Sequence, residues 1–256
     1  MSLLPGALSG LLRRLPSLLG LAGARCACCG DHREGSEGGS ALCEACRQAL
    51  APPLAAPCPG CGIYPASAAT APDPVPTLCG QCRREPRPWG AVLSHRPYDG
   101  PLRELILAYK FQRRLEAGRA LQECLLAAYE RGLRTLPDLP VPDALVPVPL
   151  HSRRLLLRGF NQSREIARLV ARRHGLPIEQ GALRRIRRTV PQMELAREAR
   201  AENIRGAFRA EAALVEEKRL LLVDDIMTTG STLEECAREL LRAGAKRVDV
   251  LVLARA

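Results

Sequence analysis

Nine of the eleven cysteines in this chain lie between Cys26 and Cys82, and eight of them form four pairs of one spacing: Cys26-x2-Cys29, Cys43-x2-Cys46, Cys58-x2-Cys61 and Cys79-x2-Cys82. Two thiolates three positions apart on a tight turn reach one tetrahedral ion at about 2.3 Å, so repeated pairs of this kind point to structural zinc. Eight thiolates make two sites of four, most simply Cys26, Cys29, Cys43 and Cys46 in one and Cys58, Cys61, Cys79 and Cys82 in the other. Gly30 and Gly62 follow the second cysteine of their pairs, where such a knuckle needs a positive φ or a close backbone approach. A disulfide framework competes with this reading, but disulfide scaffolds rarely use only CxxC pairs. Redox chemistry of the thioredoxin kind needs a strand–helix pattern that none of the four pairs shows. Cys28 is an extra thiol beside the first pair, and Cys124 and Cys236 fall in helical patterns as buried, inert thiols. His32 belongs more naturally to a polar, Gly-rich loop than to a ligand set.

Residues 25–88 are rich in Cys, Pro and Gly and poor in apolar period, as expected of a fold held by metal rather than by a core. A Pro-rich loop at 65–76 (PASAATAPDPVP) lies inside the second ribbon, and Pro86 and Pro88 mark its end. Ahead of the cysteines, residues 1–24 are Leu-rich and finish on Ala22-Gly23-Ala24, but Arg13 and Arg14 interrupt them and no positive charge precedes the apolar part. Leu3, Leu4, Leu8, Leu11, Leu12, Leu15, Leu18 and Leu19 recur at helical spacing, so an amphipathic helix docking on the protein is expected there, kinked or ended early by Pro16. No later run approaches eighteen apolar residues, so no membrane span is expected and the protein reads as cytoplasmic. The expected organisation is a helix over 1–24, a double zinc ribbon over 25–88 and an α/β domain over 89–256.

Charge is polarised along the chain. Of the 38 basic residues only Lys110, Lys218 and Lys246 are lysines, and residues 151–209 alone carry 15 basic against 5 acidic side chains. An Arg-rich stretch of this kind expects an anionic partner, either a phosphorylated small molecule or a nucleic acid. Aromatic residues make up only 3%, which argues against extended base-stacking platforms.

After Trp89 the texture becomes periodic. Residues 89–98 read as a strand, 102–111 and 115–134 as helices, 143–149 as a short buried strand and 161–174 as a helix behind a basic loop. Residues 182–188 read as a strand, followed by a polar stretch to Phe208. An apolar strand at 219–224, a helix at 232–243 and a last strand at 248–254 complete the pattern. Strands alternating with helices imply a parallel, doubly wound α/β sheet.

Residues 220–232 (LLLVDDIMTTGST) carry the chemistry. Four apolar residues make a strand, Asp224 and Asp225 stand at its carboxyl end, and a small, hydroxyl-rich turn opens a helix. Ligands of open parallel sheets bind at that end. The amides of residues 229–232 and the hydroxyls of Thr228, Thr229, Ser231 and Thr232 make an anion cradle, and Gly230 lets the backbone approach a phosphate. The lysine and spacing of a Walker A loop are absent, so nucleotide hydrolysis is not implied. Two carboxylates beside an anion cradle make sense if the ligand also presents vicinal hydroxyls, as a ribose 5′-phosphate does.

This run resembles the 5-phosphoribosyl-1-pyrophosphate (PRPP) loop of type I phosphoribosyltransferases. Residues 151–163 (HSRRLLLRGFNQS), preceded by Val146-Pro147-Val148-Pro149, resemble the signature of ComF-type competence proteins. So do the spaced Arg185, Arg187, Thr189, Gln192, Leu195, Arg200, Asn203, Gly206, Ala207 and Phe208, and Tyr98 with Lys110-Phe111. The resemblance covers about residues 25–256; the extra Cys28 and the 65–76 insertion depart from a minimal pattern. It implies a phosphoribosyltransferase fold behind a double zinc ribbon, with PRPP and Mg²⁺ bound. Asp224 and Asp225 would hold the ribose diol and help place the metal, acting as the catalytic pair. Arg153, Arg154 and Arg158 would cradle pyrophosphate, and Thr189, Gln192 and Arg200 would fall in a mobile lid that excludes water. It also implies a role in natural competence, with single-stranded DNA and a helicase-like translocase as expected partners. The product would be either an enzyme transferring phosphoribosyl to an unidentified acceptor or a non-catalytic, PRPP-responsive DNA-binding protein.

Overall fold

The computed structural model describes residues 25–32, 40–65, 75–112, 114–150, 155–156, 159–187 and 202–256. The helix expected over 1–24 lies outside these residues, as do His151, Arg153, Arg154, Arg158, Thr189, Gln192 and Arg200. In chain order the amino-terminal half holds α1 (Glu44–Ala49), α2 (Gly80–Arg84), β1 (Val92–Pro97), α3 (Gly100–Phe111), α4 (Ala117–Thr135) and β2 (Ala144–Pro147). Then follow α5 (Gln162–His174), β3 (Leu183–Arg185), β4 (Phe208–Ala210), α6 (Ala212–Val215), β5 (Arg219–Met227), α7 (Ser231–Arg242) and β6 (Arg247–Arg255).

Leu220, Leu221, Leu222 and Val223 are each 1% exposed or less, so both faces of β5 are covered. Four strands pair in parallel in the order β1-β6-β5-β2, which places β5 and β6 inside the sheet. Strand alternation sends Leu221 and Val223, with Leu251 and Leu253, onto the core formed with Leu105, Leu125, Tyr129 and Ile166 of α3, α4 and α5. Leu220 and Leu222, with Val248 and Val250, face Leu233, Cys236 and Leu240 of α7. Each leucine buried to this degree contributes roughly 1.5–3 kcal/mol relative to exposure. The α/β sheet with helices on both faces is therefore as expected.

Two details differ from the sequence expectation. The strand expected at 182–188 is confined to β3 and leaves the main sheet, pairing antiparallel with β4 through Leu183↔Ala210, Arg184↔Arg209 and Arg185↔Phe208. Its pairing partner is a returning segment of chain, and Leu183 and Phe208 bury its apolar side beside α7. Strand β5 also runs to Met227 rather than stopping at Asp224, because β6 continues alongside it through Ala254 and Arg255.

The cysteine-rich segments join the same body. Ala27, Leu42 and Leu50 are buried in one core with Leu93, Leu121 and Tyr129. Among the described residues, no helix is long and apolar enough to cross a membrane.

Candidate functional site

Helix α7 begins at Gly230, whose φ of +87° is open to glycine and strained for other residues. A Cβ at that position would meet Met227 Cε at 2.8 Å and Trp89 Cη2 at 3.6 Å, so the turn is tight as well as left-handed. Glycine offers no side-chain cap, and the first amide makes a long bond, Ser231 N to Thr229 Oγ1 at 3.4 Å. The start of the helix thus turns its amides and the positive end of its dipole to the carboxyl edge of the sheet, an arrangement that can receive an anion. The hydroxyls of Thr229 and Ser231 sit 2.9 Å apart at its mouth, and Thr228 is exposed.

The acidic doublet stands just before this turn. Both side chains reach the first turn of α5. Asp225, 6% exposed, pairs through Oδ2 with Lys110 Nζ of α3 at 2.7 Å and accepts Gln162 Nε2 of α5 at 3.1 Å. Asp224 accepts Ser163 Oγ and its neighbour's amide, both at 2.9 Å. Burial, and then the charge of Asp225, push the Asp224 carboxyl up to about 7, against the opposing pull of Lys110. Gln162 keeps its Oε1 buried and unpartnered next to Asp225. Carboxylates, a hydroxyl and an orphan amide oxygen are the hard donors that Mg²⁺ takes.

The structure brings Asp224, Asp225 and residues 228–232 to one end of the sheet, as the sequence expects. It adds Gln162, Ser163 and Lys110, which entered the sequence reading only within the motifs that carry the resemblance and without a role. Their local cause is legible in hindsight. Asn161 caps α5 by accepting the Ser163 amide at 3.0 Å, and Gly175 closes the helix in the left-handed conformation, so α5 points its first turn at the doublet. A cleft of about 680 Å³ opens beside them, lined by Tyr109, Arg119, Gln122, Phe160 and Arg164 among others.

The eight paired cysteines gather as two sets, Cys26, Cys29, Cys43 and Cys46 in one and Cys58, Cys61, Cys79 and Cys82 in the other, with the sulfurs of each set within 4.8 Å of one another. All eleven cysteines are free thiols. Metal–sulfur bonds of about 2.3 Å imply tetrahedral S···S edges of about 3.8 Å. The separations Cys29–Cys43 and Cys61–Cys79 are both 3.8 Å. Each set therefore fits one zinc ion. Backbone amides support the sulfurs: Cys43 N donates to Cys26 Sγ at 3.3 Å and Cys79 N to Cys58 Sγ at 3.2 Å.

The first set is docked on α4. Glu123 accepts Ser40 Oγ at 2.7 Å and the Ala41 amide at 2.6 Å, while Arg114 donates to the carbonyls of Ala27 and Cys28. His95 of β1 donates Nε2–H to the Leu50 carbonyl at 2.7 Å and leaves Nδ1 buried without a partner. Burial first, then Arg131 and Arg96, push this imidazole down to about 4 despite that bond.

A parallel sheet, a glycine turn at the end of an inner strand and an acidic doublet beside it define the carboxyl-terminal part as a phosphoribosyltransferase-type domain, and residues 161–256 match the family model for the phosphoribosyl transferase domain. Over 214 residues the chain is 38% identical to DNA utilization protein YhgH of Salmonella typhi, covering 84% of this chain and 90% of that protein. It is 39% identical over 198 residues to the protein of the same name in Escherichia coli K12, covering 77% and 83%. To Competence protein F of Haemophilus influenzae it is 33% identical over 180 residues, covering 70% and 78%. The chain belongs to the ComF family.

Proposed function

We propose that this protein binds PRPP with Mg²⁺ and transfers its phosphoribosyl group to an acceptor in the handling of DNA. The observation that carries the reading is the placement of the acidic doublet at the end of an inner strand, immediately before a glycine-started helix with no side-chain cap. The amides and hydroxyls of residues 228–232 hold the 5′-phosphate, while Asp224 and Asp225 hold the ribose diol. Lys110 pairs with the buried Asp225 and fixes its position, and the Gln162 oxygen accepts from a sugar hydroxyl. Mg²⁺ supplies charge neutralisation for the departing pyrophosphate. Arg153, Arg154 and Arg158 complete the pyrophosphate cradle, and Thr189, Gln192 and Arg200 belong to the lid. The acceptor enters by the cleft beside Tyr109 and Phe160. Residues 25–88 form a zinc-held module and residues 89–256 the transferase domain, in a protein working in the cytoplasm, where free thiols persist.

The DNA context rests on the relatives' names, DNA utilization protein and Competence protein F. A non-catalytic reading, in which PRPP regulates binding to single-stranded DNA or a translocase, draws on one observation. Arg164, Arg168 and Arg172 recur every four residues along α5 and stay partly exposed or exposed. Incubation with PRPP, Mg²⁺ and candidate nucleobase or amine acceptors separates the two. Acceptor-dependent pyrophosphate release supports transfer, whereas DNA affinity that falls steeply with salt, without pyrophosphate release, supports the second reading.

A further inference from the structure

The second cysteine set is wired to the turn that starts α7, and three separate contacts do the wiring. Trp89 donates its Nε1–H to the carbonyl of Gly60 at 2.8 Å, inside the Cys58–Cys61 knuckle, and its ring lies against Gly230. Arg255, at the end of β6, donates Nε to the Cys61 carbonyl at 2.8 Å and Nη1 to the Met227 carbonyl at 3.2 Å. Arg87, five residues past Cys82, pairs with Glu234 in the first turn of α7, and both side chains are less than a fifth exposed. Knuckle and turn therefore share a tryptophan, two arginines and a strand end.

Among the described residues, β1 also holds the knuckle's backbone, Val92 N donating to the Pro59 carbonyl at 2.7 Å and Ser94 Oγ to the Gly62 carbonyl at 3.2 Å, but the knuckle's interior is sulfur. Its buried apolar cluster consists of Cys58, Cys61 and Cys82, with Cys79 packed against them. A Cβ on Gly60 would lie 2.9 Å from Cys82 Sγ, so the carbonyl that Trp89 binds is placed by the sulfur packing itself. A segment whose core is sulfur takes its geometry from the ion the sulfurs hold. The first set has no matching path among the described residues: its contacts run to Glu123, Arg114 and His95.

We propose that the Cys58–Cys61–Cys79–Cys82 metal centre is a positioning element for the anion-binding turn at residues 228–232, acting through Trp89, Arg255 and Arg87. Metal in this centre presets the turn. By linkage, an anion seated in the turn then tightens the hold of this centre on its metal, and leaves the first centre unaffected. The second statement rests on the phosphate-binding reading of the turn; the first does not.

Both are tested on the full-length, zinc-loaded protein. Hydrogen exchange over residues 227–235 is compared in Cys82→Ser, which removes a ligand of the second set, and Cys46→Ser, which removes one of the first. Because a cysteine variant can unravel its module, Trp89→Phe supplies a second line, since it keeps all eight thiolates while removing both the donor to Gly60 and the Cη2 contact with Gly230. Faster exchange in Cys82→Ser and in Trp89→Phe, with Cys46→Ser like wild type, is expected. Equal exchange in all three overturns the proposal.

Reciprocity is read by pulse-labelling cysteines with a maleimide under a zinc-selective chelator, with and without ribose 5-phosphate, and resolving the two sets by mass spectrometry. Slowing of about 5-fold or more confined to the second set is expected, the lower end of typical allosteric coupling. Bound ribose 5-phosphate that protects both sets alike, or neither, overturns the reciprocal part. A difference in exchange without ribose 5-phosphate binding by calorimetry supports the positioning role and removes the phosphate reading of the turn. Trp89 is the single tryptophan, so its emission also shifts when the second centre loses metal.

Discussion

The two tetracysteine centres have one ligand set and nearly one spacing, yet they are anchored by different physics. The first is embedded in apolar packing: Ala27, Leu42 and Leu50 belong to the core built on α3, α4 and α5, and the ion adds to a segment already buried. Among the described residues, the second has only cysteines in its buried apolar cluster and is tied to the sheet by backbone carbonyls that Val92, Ser94, Trp89 and Arg255 bind. One ligand chemistry thus serves a docking role in the first place and a shaping role in the second, beside the candidate PRPP turn.

The largest test of that contrast is ligand removal. Cys61→Ser is expected to drop zinc from two ions to one and to open residues 57–85 to protease, since structural zinc is worth roughly 10–16 kcal/mol in finger peptides. Cys29→Ser is expected to lose one ion as well, while residues 40–50 stay protected by their apolar contacts. Elemental analysis and limited proteolysis read both; equal proteolysis of the two variants breaks the comparison.

Leu50→Ala comes next, because Leu50 is 2% exposed where the first module meets the core. It should cost about 2–5 kcal/mol by urea unfolding.

A pH effect of smaller size belongs to the first module through His95. Its folded-state pKa of about 4 lies below the ordinary 6.5, so the unfolded chain binds the proton first. Stability from this group is complete above pH 6.5 and is lost as pH falls from 6.5 towards 4, by a few kcal/mol at most. Unfolding midpoints of wild type and His95→Gln at pH 7 and pH 4.5 should converge in acid. The smallest effect is Glu123→Gln, which keeps an acceptor but weakens two bonds to Ser40 and Ala41, at about 1 kcal/mol.

Much of this architecture is legible in the sequence because its causes are local. Cysteine pairs grouped as spacing suggests, an inner strand declared itself by four consecutive apolar residues, and Gly230 sits where a left-handed residue must start a helix. Non-local pairing was hidden. Strand β4 is three residues long, and its partner β3 lies more than twenty positions earlier, so neither carries enough period to reveal an antiparallel pair outside the main sheet. Lys110 and Gln162 come to Asp225 from two different helices, and nothing in either helix alone marks a residue for that duty. The same holds for Trp89, which joins a knuckle at residue 60 to a turn at residue 230.

The most direct measurement is a calorimetric titration of the zinc-loaded protein with PRPP and Mg²⁺, wild type beside Asp225→Asn. The account predicts saturable one-site binding in the wild type, weakened about tenfold or more in the variant, the scale of losing a charged hydrogen-bond partner. No binding by wild type, or equal affinity in the two proteins, would contradict it.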